Sequence, residues 1–171
     1  FIAYVFWASL IAGVALTAIC LAAGAMPPLS RRHLRVYAVM GAAGIALPMS
    51  VFAFVASKIP ASVLGMGVIL TPMMTYALAL ALDLERFRAR SVVGMVLGIA
   101  GVLLVVLPET SLPEPGMVGW VLVSLIAPTS FAVSNVCAAY LRPPKTSSLA
   151  MGAAMSLFAA ALLLAAMTVQ G

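Results

Sequence analysis

Residues 60–108 read PASVLGMGVILTPMMTYALALALDLERFRARSVVGMVLGIAGVLLVVLP. Two apolar runs, Ala61–Leu82 and Ser91–Leu107, flank a knot of charge, Asp83-Leu84-Glu85-Arg86-Phe87-Arg88-Ala89-Arg90. A helix rising about 1.5 Å per residue needs roughly 20 apolar residues to cross the hydrocarbon core of a bilayer, and each run comes near that length. The knot is too polar to enter lipid and must stay in water at one face. The stretch predicts a transmembrane hairpin, and the rest of the chain repeats its logic.

Of the 171 residues, 65% are hydrophobic and 8% charged, with a mean hydropathy of +1.23. Soluble domains carry about a quarter charged residues, so this chain cannot cover itself with a solvated surface. The runs lack the period-2 alternation of a membrane barrel. An all-α, polytopic transmembrane helical bundle is the class that fits. The formal net charge is +5, but every Lys and Arg lies between or beside apolar runs. That distribution is a topology signal and excludes a nucleic-acid footprint. Cys20 and Cys137 fall inside apolar runs without metal-ligand spacing and read as small buried hydrophobes. No metal and no cofactor is expected. Phe1–Cys20 lacks the basic leader of a signal peptide. A start inside one apolar run and an end as another finishes suggest an interior piece of a longer protein.

Six spans are predicted: Phe1–Ala25, closed by Pro27-Pro28, then His33–Ser57, Ala61–Leu82, Ser91–Leu107, Gly116–Leu141 and Ser147–Val169. The links are short, which forces sequential spans to be antiparallel neighbours. The first, third and fifth links carry Arg31, Arg32 and Arg35, then Arg86, Arg88 and Arg90, then Arg142 and Lys145. The second and fourth carry Lys58 alone, beside Glu109 and Glu114. This alternation is what the positive-inside rule requires of a correct span count. Loops 26–35, 83–90 and 142–146 are therefore expected in the cytoplasm, with Phe1 and Gly171 at the outer face of a multi-pass protein of a bacterial inner membrane.

The span interiors hold no Asp, Glu, Lys, Arg or His. Their hydroxyls and one amide collect in the second, third and fifth spans, which also carry Pro48, Pro72 and Pro128. Each proline removes the donor to the carbonyl four residues earlier, at Gly44, Val68 and Ser124. In lipid such a carbonyl is tolerated only where protein or cavity water can reach it. The three prolines are thus expected to act as hinges bending three spans around a shared cavity, against the plainer reading of packing kinks. Ser50 lies next to the first hinge.

Two polar clusters mark the candidate cavity. Thr71 and Thr75 are four apart and share a helix face, with Tyr76 beside it. Ser130 and Ser134 share a face of the fifth span, and Phe131 and Asn135 share the adjacent one. Asn135 is the one amide in a span core, and leaving it unsatisfied would cost a few kcal/mol. It serves either as an interhelical hydrogen bond or as a ligand contact. Gly94, Gly98 and Gly101 form a groove for close helix approach, within the bundle or between the protomers of a homodimer.

These residues resemble the EamA-type transporters of the drug/metabolite transporter superfamily. The third span, with Ala61-Ser62, Pro72 and the Glu85-Arg86 step, is similar to that family's fourth helix. The fourth span, with Gly94 and Gly101-Val102-Leu103-Leu104, is similar to the helix that follows. Pro28-Leu29-Ser30-Arg31-Arg32 resembles the basic loop before the third. The resemblance implies a ten-helix protein of two five-helix repeats in inverted topology. Residues 1–107 would supply helices two to five of the first repeat, 108–115 a periplasmic linker and 116–171 the first two helices of the second. It also implies a midplane substrate cavity built partly from the second, third and fifth spans here, those that carry the prolines.

Three functions compete. A secondary transporter would move a small organic metabolite or drug-like solute by alternating access. A membrane-embedded enzyme would need a nucleophile–base pair, paired carboxylates or a metal cluster at depth. The single histidine, His33, lies instead among arginines in a link, where a solvated residue is expected. A non-transporting assembly or channel subunit would show a smooth packing face or a wet pore.

Overall fold

An apolar run in lipid must close its own backbone hydrogen bonds, and helices do so within a single segment. The computed structural model describes residues 2–106, 117–141 and 146–170, and within them every predicted span is helical. The helices are α1 (Ile2–Ala22), α2 (Arg31–Gly41), α3 (Leu47–Val55), α4 (Ala61–Ala81), α5 (Ala89–Val106), α6 (Met117–Ser124), α7 (Ile126–Leu141) and α8 (Ser148–Gln170). A π turn, Ala42–Ala46, joins α2 to α3 in one span, and α6 and α7 make another. Among the described residues five spans are long and apolar enough to cross a membrane, while the apolar part of α5, Ala89–Gly101, is shorter. The expected linker 108–115 and the cations Arg142 and Lys145 lie outside the described residues.

The first span stops at Ala22, three residues before the expected Ala25, and glycine rather than proline stops it. Gly24 has φ +62°, its N–H donates to Leu21 O (3.2 Å), and the Ala25 N–H reaches back to Cys20 O (2.9 Å). This left-handed cap satisfies two end carbonyls, and Pro27 and Pro28 follow once the helix has closed. The same geometry ends α4 with Asp83 in glycine's place. Asp83 has φ 54° and donates to Leu80 O (3.1 Å), while the Leu84 N–H donates to Ala79 O (2.9 Å).

α1 lies antiparallel along α8. A Cβ on Gly13 would come within 2.8 Å of the Leu157 side chain, and Gly152 faces Leu16 at 3.6 Å, so each helix seats a leucine on the other's glycine. Cys20 is buried there against Ala150 and Ala153. Val36, Tyr37 and Met40 of α2 pack on Met151 and Ala154 of α8. At the other end Val55, Ile59 and Val63 close against Met117, Trp120 and Val121. There the Lys58 ammonium sits 5.8 Å above the Trp120 ring, the pairing of cation and indole expected where a span meets the interface. α5 rests on α4: the Met73 side chain fills the space over Gly98, whereas Gly94 and Gly101 face open space.

Candidate functional site: a polar groove between α4 and α7

The geometry of the site begins with what Pro48 does to its own span. Before the proline the helix widens, and the Leu47 N–H reaches Ala42 O, five residues back. In that register the Ala43 carbonyl looks to residue 48, which has no N–H. The Ser130 hydroxyl supplies the missing donor, Oγ to Ala43 O at 2.6 Å. The freed carbonyl is therefore at Ala43 and not at Gly44 as the sequence suggests, because the π turn shifts the register by one. Gly44 instead makes room for Ser134, whose Oγ would meet any Cβ placed there. Ser130 and Ser134 are both buried, and they hold α7 to the π turn rather than lining a cavity. Ser50 is half-buried on α3 and is not among the groove's lining residues.

The adjacent face of α7 does line one. Phe131 and Asn135 look across to Thr71, Pro72, Thr75 and Tyr76 of α4, around a groove of about 700 Å³. Asn135 Nδ2 donates to Thr75 Oγ1 at 3.4 Å, and Thr75 in turn donates to the Thr71 carbonyl at 2.8 Å. The amide remains exposed, so one long hydrogen bond leaves it donor and acceptor capacity for a ligand. Tyr76 borders the groove with its ring, but its hydroxyl belongs to the following link. It accepts the Arg88 N–H (2.9 Å) and donates to the Arg86 carbonyl (3.4 Å).

Of the three hinges, only Pro72 borders the groove. Pro48 and Pro128 are fully buried, which corrects the expectation of three bends around one hollow. Pro128 follows a break at Leu125, where the Leu125 N–H drops back to Leu122 O at 3.2 Å. Glu85, part of the acidic–Arg step of the charged knot and not among the expected site residues, lies at the groove's end. His33 is half-buried rather than solvated, with Nδ1 2.6 Å from the Ser30 hydroxyl and its ring 6.1 Å from Tyr37. Among the described residues no group of His, Cys, Asp and Glu is placed to hold a metal.

A groove of hydroxyls, an amide and aromatic rings, with Glu85 at its end and set between membrane spans, has the means to hold a solute. The EamA-like transporter family model matches residues 1–107. The chain belongs to that family. No curated protein and no solved structure matches it. As an EamA-like chain it is a multi-pass membrane protein of a transporter family.

Proposed function

We propose that this EamA-like protein carries a small organic solute across a bacterial inner membrane by alternating access, with the α4–α7 groove as half of its substrate site. The observation that carries this reading is the convergence of Thr71, Thr75, Tyr76, Phe131 and Asn135 on one space of about 700 Å³. A drug-sized ligand occupies a cavity of this order, apolar walls providing contact and a few polar groups orientation. Glu85 is the one ionisable side chain of the charged link that borders the space. The solute is then held by hydrogen bonds and ring contacts, and coupling relies on exchange, on uniport, or on a titratable group elsewhere in the protein.

The inverted-repeat reading has two supports. The family match ends at Leu107, the residue where the first repeat is expected to close. The proposed equivalents α1 and α8 pack antiparallel with reciprocal glycine–leucine seats, as elements related by an axis in the membrane plane would. The positive-inside count assigns the arginine-bearing links to the cytoplasm, so the groove mouth at Glu85 opens there and outward movement, or efflux, is the direction tested first. The test is a metabolite-export screen of the full-length protein against a strain deleted for it. Loss of no solute from the medium in the deletion strain, across polar and amphipathic metabolites, would end the export reading.

A further inference from the structure

The groove does not stop at the middle of the bundle. A second chamber of about 580 Å³ lies between α1, α3, α4 and α8, with Tyr4, Ser9, Phe52, Leu64 and Ser156 in its wall. Val68 borders both chambers. The two meet at Val68, near the middle of α4, and extend from there toward opposite ends of that helix. The second chamber begins at Leu64, near the start of α4, whereas the groove runs to Ala79 at its end. Those fifteen residues of helix rise about 22 Å, most of the hydrocarbon thickness. At the junction Phe52, in the wall of the second chamber, meets Phe131, in the wall of the groove. Their ring centroids are 6.2 Å apart and their planes tilted by 45°.

We propose that Phe52 and Phe131 are the gate of a continuous solute path, closing the groove against the second chamber in the state described here. The inference rests on the transporter reading and adds where the path runs and what blocks it. A tilted aromatic pair is apolar and dry, so a polar solute in the groove meets a desolvation barrier there. Neither ring is fully buried, so each has free volume into which to swing. Pro72 leaves the Val68 carbonyl without its helical donor at this same level. A solute passing the rings finds a hydrogen-bond acceptor midway, which lowers the step between the hydroxyl-rich groove and the chamber beyond. The halves of the gate sit on different spans: Phe52 follows the π turn on α3, and Phe131 follows the Leu125 break on α7. Rotation of either ring about its own side chain parts the pair while the Ser130–Ala43 bond keeps α7 tied to the second span.

The test uses the full-length protein with its native cysteines replaced by alanine and a membrane-impermeant, sulfonate-bearing methanethiosulfonate. The reagent is applied to the face opposite the arginine-bearing links. Ala53→Cys, in the second chamber, should react rapidly, and Thr75→Cys, in the groove, slowly. Adding Phe52→Ala should raise the Thr75→Cys rate at least tenfold, with a smaller rise for Phe52→Leu. The proposal is overturned if neither Phe52 variant changes that rate, if Ala53→Cys fails to react, or if Thr75→Cys reacts as fast as Ala53→Cys with both rings present. Failure of the gate is separable from failure of the substrate site. Unchanged labelling in the Phe52 variants alongside lost transport in Asn135→Ala removes the gate alone; normal transport by Asn135→Ala with raised labelling removes the site alone.

Discussion

The Ser130 hydroxyl donates to the Ala43 carbonyl at 2.6 Å, tying α7 to the π turn of the second span. The bond repairs a vacancy that Pro48 creates in its own helix. Ser130→Ala should therefore destabilise the fold by about 1–3 kcal/mol, the cost of a buried acceptor left without a donor. Pro48→Ala restores an N–H that can serve the same carbonyl. In a double-mutant cycle, read by thermal unfolding in detergent, the penalty of Ser130→Ala should shrink when Pro48→Ala is present. Additive penalties would show that Ala43 is not the point of coupling.

Asn135→Ala and Thr75→Val should each reduce transport about tenfold or more while membrane insertion and thermal stability stay near wild type. A tenfold loss corresponds to about 1.4 kcal/mol, within the range of one hydrogen bond to a bound ligand. Asn135 is exposed in the groove and makes a single 3.4 Å bond to Thr75, so little of the fold depends on either side chain. Full transport by both variants would remove the groove from the solute's route.

At Gly41 a Cβ would lie 2.7 Å from the Met155 carbonyl oxygen, an atom of the α8 backbone that cannot rotate aside. Gly41→Ala should force α2 and α8 apart and cost about 1–3 kcal/mol, in the range of other overpacking substitutions. Gly119→Ala, where nothing lies within 4 Å, is the matched control and should be neutral or slightly stabilising through helix propensity. Unfolding midpoints of the two variants in one detergent decide the comparison.

Asp83 holds a left-handed conformation, φ 54°, at the end of α4. Glycine adopts that region without the Cβ penalty of about 1 kcal/mol. Asp83→Gly should leave stability unchanged or raise it, and Asp83→Val should lower it and loosen the 83–88 link. Limited proteolysis of that link, faster in Asp83→Val and unchanged in Asp83→Gly, reads the effect directly.

Much of this architecture follows from the sequence, because a bilayer leaves few choices to an apolar run. Hydropathy placed the six spans to within a few residues. The two faces of the fifth span were separable by helical spacing alone, and the structure assigns them to different neighbours: Ser130 and Ser134 to the π turn, Phe131 and Asn135 to the groove. What could not be read was which face would do which job. Serine serves packing or ligand equally well, and the choice depends on a carbonyl orphaned in another span. A π turn has no signature in Ala42-Ala43-Gly44-Ile45-Ala46 beyond the proline that follows it. The second chamber was equally hidden, since Tyr4, Ser9 and Ser156 come from the first and last spans, which are alanine-rich with few polar groups.

The π turn carries one residue more than an ordinary helix would place in that length, and each residue advances a helix by about 100° around its axis. Ala42–Ala46 thus sets the angular phase of α3 relative to α2. It allows the first half of the span to grip α8 while the second half aims Phe52 at Phe131. Removing a single alanine from it would turn that second half by about a quarter of a circle, leaving both ends of the span intact and its two halves serving the wrong partners.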